Sequence, residues 1–206
     1  MRYPKFRELK EAIISLVSRP YTVGYPRVPF RPAERFRGKP EYSKEGCIGC
    51  GACSLVCPAR AIEQKDTVVE GKAVRKMVLH LDECLFCGQC SALCTTREET
   101  PPGIKHTLEF DLTGFDRASL VSASEEKELA LCEACGDIIT TKAHLEWIAK
   151  KLGPIAFSNP TLFIASLKEM GLADGVFQAA RDYVLRSDRI KILCAKCRRR
   201  ATLERY

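Results

Sequence analysis

Eight cysteines in two runs of identical spacing constrain this chain more than any other feature. The first run reads Cys47-Ile48-Gly49-Cys50-Gly51-Ala52-Cys53-Ser54-Leu55-Val56-Cys57-Pro58. The second reads Cys84-Leu85-Phe86-Cys87-Gly88-Gln89-Cys90-Ser91-Ala92-Leu93-Cys94. Two-residue gaps let a tight loop wrap three thiolates round one face of a 4Fe–4S cubane. Gly49, Gly51 and Gly88 let the backbone come close and aim N–H groups at the sulfurs. Those hydrogen bonds, with apolar Ile48, Leu55, Leu85 and Phe86, would set the reduction potential.

The run C-x2-C-x2-C-x3-C-P belongs to two-cluster ferredoxins, in which the fourth cysteine ligates the other cluster. The expected sets are therefore crossed: Cys47, Cys50, Cys53 and Cys94 for one cluster, and Cys84, Cys87, Cys90 and Cys57 for the other. A short helix is expected after each run, with Pro58 at its first position. Thr95 stands where the second proline would be, and Thr95 or Thr96 is expected to cap that helix. β-Branched residues over 67–81 predict a hairpin turning at residues 70–72. Alternation over 104–112 predicts another strand. His80 and His106 lie on these strands beside charged neighbours and read as structure or surface.

Four of the twelve cysteines remain. Cys132-Glu133-Ala134-Cys135-Gly136 and Cys194-Ala195-Lys196-Cys197 are two knuckles, each offering two thiolates to a tetrahedral ion. The ion is expected to be a structural Zn, with a rubredoxin-like mononuclear Fe or free dithiols as alternatives. Helices are expected over 141–152, 161–170 and 173–185, and a strand over 189–193. Leu145, Trp147, Ile148 and Leu152 form an apolar helix face that reads as core, and His144 is at most an extra ligand. The formal charge of +7 counts every cysteine as neutral. Two clusters and one tetrathiolate ion at about −2 each bring it to about +1, so a nucleic-acid partner is not expected. The basic run Arg198, Arg199 and Arg200 reads as a solvated terminus. The apolar run over 12–17, broken by Ser15, is too short for a signal or a membrane span, and a reducing, cytosolic setting is expected.

Residues 5–18 place Phe6, Leu9, Ile13, Ile14 and Val17 on one helical stripe. Pro20, Pro26, Pro29, Pro32 and Pro40 follow, a strap that builds little core. Such an arm suits either its own domain or a partner or membrane surface.

Arg19-Pro20-Tyr21-Thr22-Val23-Gly24-Tyr25-Pro26, then Glu34-Arg35-Phe36-Arg37-Gly38-Lys39-Pro40, then both cysteine runs, resemble the two-cluster ferredoxin-type subunit of respiratory complex I. They resemble even more its counterparts in membrane-bound group 4 NiFe hydrogenases, formate hydrogenlyase and related ferredoxin-linked complexes. The resemblance covers about residues 1–112. It implies partners: a small cluster-bearing subunit and a large catalytic subunit, membrane-arm subunits or the membrane surface through the N-terminal helix, and an external ferredoxin as donor or acceptor. It also implies a peripheral place on the inner, cytoplasmic face of the cell membrane.

The expected fold is α+β: a two-cluster ferredoxin-like core at 41–115, an amphipathic, proline-rich arm at 1–40, and a C-terminal helical domain at 116–206 stapled by the four-cysteine metal site. No residue is a credible acid, base or nucleophile. The expected function is that of a non-catalytic electron-relay subunit of an oxidoreductase complex. A free soluble ferredoxin and a zinc-ribbon nucleic-acid-binding protein are the rival readings. Whether electrons end on protons, a sulfur compound or a quinone would be decided on other subunits.

Overall fold

The computed structural model describes residues 5–19, 22–69, 72–172 and 191–203. It divides into two compact units, Met1–Arg35 and Phe36–Tyr206. In the first unit the apolar stripe forms helix α1, Phe6–Val17. The Lys5 N–H donates to the Glu8 carboxylate at 3.1 Å, and an acid in the first turn favours the positive end of the helix dipole. None of the residues of α1 is buried, and Phe6 is 93% exposed.

The second unit is built on antiparallel strands. Strand β1 (Pro40–Tyr42) pairs with β4 (Ile104–His106), Pro40 opposite His106. Strands β2 (Ile62–Val69) and β3 (Lys72–His80) form the expected hairpin, in register from Ile62 opposite Leu79 to Val69 opposite Lys72. Its turn includes residues 70 and 71, which lie outside the described residues. The hairpin starts at Ile62 instead of residue 67. β2 is an edge strand that exposes every residue after Ile62, so its polar start carries no apolar alternation to read. The strand expected over 104–112 stops at His106. Pro40 has no N–H to extend the ladder. Beyond it, the Gly38 and Lys39 N–H groups reach the Thr107 and Glu109 carbonyls in looser pairing.

The short helices also differ from expectation. Helix α2 (Ala52–Leu55) carries Cys53 and helix α3 (Gln89–Ala92) carries Cys90, so each lies inside its cysteine run. Each is entered through a glycine with φ +82°, Gly51 or Gly88, a conformation only glycine adopts freely. Pro58 sits in a turn closed by the Arg60 N–H on the Cys57 carbonyl at 3.2 Å. Thr96 caps no helix. It is buried, donates to the Gly46 carbonyl at 2.8 Å and accepts from the Gly103 N–H at 3.1 Å.

Three further strands complete the second sheet: β5 (Val121–Ala123), β6 (Lys127–Leu131) and β7 (Ile138–Thr141). The order is β2-β3-β6-β7, with β5 also on β3. The sheet therefore crosses the division expected at residue 115. Helices α4 (Lys142–Leu152) and α5 (Pro160–Glu169) pack beside it, capped by the Thr141 hydroxyl and the Asn159 side chain, as such residues favour. Helix α6 (Ala195–Leu203) ends the described chain. Ala130, Leu145, Ala156 and Leu162 form a core, with Ile148 packed against it. Trp147 and Leu152 are not part of it. Leu152 is exposed, and Trp147 is half-buried with its Nε1–H donating to Glu99 at 3.2 Å. Trp147 lies about 200° round α4 from Leu145 and so on its opposite side, and Leu152 is the last residue of the helix. The helix expected over 173–185 lies outside the described residues. Residues 191–193 are not strand, because Ile192 instead pairs with Glu133, giving its carbonyl to the Glu133 N–H and its N–H to the Glu133 carboxylate. Among the described residues no helix is long and apolar enough to cross a membrane.

Candidate functional site

The core of the sheet-and-loop region is thin: Ala61, Ile62, Met77, Leu79, Leu81 and Ile104 pack directly against Cys53 and Cys90. A core completed by sulfur leaves space for something other than side chains. Two small cavities lie there. Cys47, Cys50, Cys53 and Cys94 line the first, and Cys57, Cys84, Cys87 and Cys90 line the second. Each cavity thus takes three cysteines from one run and the last of the other.

Several features suit these cavities to an iron–sulfur group. Burial, opposed by the Tyr42 hydroxyl and reinforced by the Cys47 and Cys50 sulfurs, pushes the Cys53 thiol up to about 12. Burial likewise pushes Cys90 up to about 11 and raises Cys47 and Cys84. Thiolates in such places need a positive centre bound to them. Donors already face the sulfurs. Tyr42 Oη lies 3.7 Å from Cys53 Sγ, Thr95 Oγ1 lies 3.1 Å from Cys50 Sγ, and the Phe86 N–H reaches Cys84 Sγ at 3.4 Å. Gly103 is also required: a Cβ there would stand 3.0 Å from Cys94 Sγ. His106 lines the second cavity. Its Nδ1 donates to the Gly38 carbonyl at 2.8 Å, while its buried Nε2 has no partner among the described residues. The donor set therefore fits, and a polar atom waits at the cavity wall.

Sequence reasoning passed over the residues that hold the two loops from outside. Arg37 Nη1 donates to the Cys87 carbonyl at 2.6 Å. Arg75 Nη1 donates to the Gly49 carbonyl at 3.2 Å, its Nε and Nη2 bound to Asp66 at 2.7 and 2.9 Å. The opposition of Asp66 and Arg75 across the hairpin was the available signal. The His80 ring lies 3.5 Å from the Glu63 carboxylate.

The remaining thiols gather too. The Sγ atoms of Cys132, Cys135, Cys194 and Cys197 all lie within 4.8 Å of one another, with Cys135 and Cys194 at 3.7 Å. A tetrahedron of about 2.3 Å metal–sulfur bonds has edges of about 3.8 Å, and the Cys135–Cys194 pair already stands at that separation. Cys132 and Cys135 belong to the β6–β7 turn, where the Gly136 N–H closes on the Cys132 carbonyl at 2.8 Å. Cys194 and Cys197 sit at the start of α6. Although burial opposes it, N–H groups of Cys194, Cys135 and Ala134 hold the Cys132 thiol down at about 6. His144 is not among the four. Its Nδ1 bonds the Thr140 hydroxyl at 2.8 Å.

Residues 46–97 match the 4Fe-4S dicluster domain family. Formate hydrogenlyase subunit 6 of Escherichia coli is 39% identical over 51 residues, 25% of this chain and 28% of that protein. NAD(P)H-quinone oxidoreductase subunit I of a Synechococcus strain is 40% identical over 102 residues, 50% of this chain and 48% of that protein. The chain thus spans half or less of these curated relatives. A chain of the membrane-bound sulfane sulfur reductase, an archaeal respiratory membrane complex, aligns over 57% of this chain and 60% of its own length, with a TM-score of 0.38 and 26% identity.

Proposed function

We propose that this chain is a non-catalytic electron-relay subunit of a membrane-anchored, complex I-related oxidoreductase. Two 4Fe–4S clusters and one Zn would be its cofactors. Cys47, Cys50, Cys53 and Cys94 would hold the first cluster, Cys84, Cys87, Cys90 and Cys57 the second, and Cys132, Cys135, Cys194 and Cys197 the zinc. The reading is carried by one observation: each cavity draws its last cysteine from the other run. Exchanging Cys57 and Cys94 ties the two sites together, and a short separation suits a relay. When bound, each cluster takes up and gives back one electron.

The protein's own work is to hold and shield. Tyr42 and Thr95 supply hydrogen bonds to the first set of sulfurs, and Met77 and Ile104 exclude water there. Leu79, Ile62 and Phe86 do the same at the second. The exposed apolar stripe of α1 is compatible with an arm laid on a partner or membrane surface. The partners would be a small cluster-bearing subunit next to a large catalytic subunit, with the complex on the cytoplasmic face. The names of the relatives support this class of complex.

Anaerobically purified protein should contain about eight irons and one zinc. Cys57→Ser should abolish the EPR signal of the second cluster and spare the first. Selective loss of the first would overturn the crossed assignment, and a ninth iron without zinc would replace the zinc. Tagged chain should also co-purify the two catalytic-arm subunits, whereas isolation as a lone soluble carrier would overturn the complex.

A further inference from the structure

The first cysteine loop is gripped by the strands that carry the C-terminal metal site. Three backbone carbonyls in or beside that loop accept hydrogen bonds from three adjacent strands. Thr141 on β7 donates through Oγ1 to the Ile48 carbonyl at 2.5 Å, and its side chain is fully buried. Lys127 on β6 donates through Nζ to the Lys44 carbonyl at 2.9 Å. Arg75 on β3, paired in register with Lys127, donates to the Gly49 carbonyl at 3.2 Å.

The packing is as close as the bonding. A Cβ on Gly49 would lie 3.0 Å from Thr141 Cγ2 and 3.4 Å from Lys127 Cβ, and Gly49 has φ +65°. The loop therefore needs glycine twice over, for its backbone and for the strands lying on it. By contrast, the second loop is held by Arg37, which precedes β1.

Followed the other way, β6 and β7 run directly into the four-thiol site. Leu129 opposes Thr141 and Leu131 opposes Ile138, and the next residue after β6 is Cys132, whose N–H donates to the Asp137 carbonyl at 2.8 Å. At about 3.3 Å per residue, Thr141 and the metal knuckle are separated by roughly 10 Å of paired strand. One end of the hairpin closes a metal site and the other closes a cysteine loop.

We propose that this hairpin couples the two sites, so that an ion bound by Cys132, Cys135, Cys194 and Cys197 keeps the first cysteine loop shut, with Thr141 as the positioning residue. The coupling rests on the functional reading above only in needing an ion at the four thiols and a cluster at the first loop. Without the ion, the β6–β7 turn loses its tie to Cys194 and Cys197, and the far end of the hairpin frays. The Ile48 and Lys44 carbonyls then lose their donors, while nothing at the second loop changes.

The test is hydrogen–deuterium exchange on the full, cluster-loaded chain, after metal analysis has established its iron and zinc. Comparing native protein with Cys135→Ser, amides of residues 46–50 should exchange about tenfold faster and those of 84–88 at an unchanged rate. Thr141→Val, which keeps all four thiols, should give the same local acceleration with zinc retained, and Thr141→Ser should restore the native rate. Unchanged exchange at 46–50 in Thr141→Val, or equal acceleration at both loops, would overturn the coupling. If Cys135→Ser does not fold, native chain before and after removal of its zinc by a chelator, with its iron content unchanged, is compared instead, and unchanged exchange at 46–50 would overturn the coupling. Absence of any bound ion in native protein would instead sink the zinc reading, a separate result.

Discussion

Replacing Arg75 by methionine tests how much of the first loop depends on one buried charge pair. The pair spans the β2–β3 hairpin in register, with two hydrogen bonds to Asp66 and one to the Gly49 carbonyl. The Arg75 and Asp66 side chains are only 8% and 20% exposed. Breaking a fully buried pair costs about 3–5 kcal/mol. Here residual solvent, and the Gln64 Nε2 donor at 2.9 Å from Asp66, offset part of that. About 2 kcal/mol is expected from the stranded carboxylate, and about 1 kcal/mol from the Gly49 carbonyl. Asp66→Asn should cost about 2 kcal/mol by stranding the guanidinium. In the double variant the shared loss should be counted once, leaving a coupling of about 1–2 kcal/mol.

A cluster protein unfolds irreversibly, so the measurable quantity is the rate of cluster bleaching in urea under anaerobic conditions. A 2 kcal/mol loss corresponds to about a 30-fold faster rate where the pair is broken in the transition state. The pH dependence adds a second check. Hydrogen bonds from Arg75 hold the Asp66 carboxyl below its usual range, against the opposing effect of burial. A depressed folded value means the stabilisation is complete above the ordinary aspartate value of about 3.9 and is lost as pH falls through the lower folded one. The advantage of native protein over Asp66→Asn should therefore be constant from about pH 8 to 5 and shrink below about pH 4. Additivity of the two single changes within about 0.5 kcal/mol would refute the pairing argument.

Tyr42→Phe removes the hydroxyl 3.7 Å from Cys53 Sγ and should lower the first cluster's potential by about 20–40 mV in an EPR-monitored titration, with the second unmoved. Thr96→Val strands the Gly46 carbonyl and the Gly103 N–H. It should destabilise by about 2 kcal/mol in the urea bleaching assay, with Thr96→Ser near native. Gly88→Ala places a Cβ 3.1 Å from Arg37 Cδ at φ +82°, costing about 1–2 kcal/mol. It should speed bleaching of the second cluster first; equal loss from both would contradict the division of the loops.

What could be read from the sequence was local or periodic. Cysteine spacing anticipated which sulfurs share a cavity, and the 3.6-residue pattern anticipated α1, α4 and α5. The short helices escape such a reading because Pro58 is a louder local signal than Gly51 and Gly88, whose left-handed backbones start α2 and α3 inside the runs. The sheet across residue 115 was hidden because β6 buries consecutive residues, Leu129 and Ala130, and so shows no alternation. Arg37, Arg75 and Thr141 reach carbonyls 50, 26 and 93 residues away in the chain. Nothing in a linear pattern encodes such partners.

The pairing of β1 with β4 has an evolutionary consequence. Pro40 lies opposite His106, so the chain enters and leaves the cysteine-bearing segment at one edge. A segment whose ends are neighbours behaves as a cassette. Sequence up to residue 35 belongs to the other compact unit and can be lengthened, exchanged or deleted while Arg37 keeps its hold on the Cys87 carbonyl. Additions after residue 106 are less neutral: this chain's own β6 and β7 bond the Lys44 and Ile48 carbonyls and pack against Gly49. A cysteine-bearing core of this kind keeps its sulfurs in place by itself, while the strands that follow it determine how one of its two cavities is enclosed.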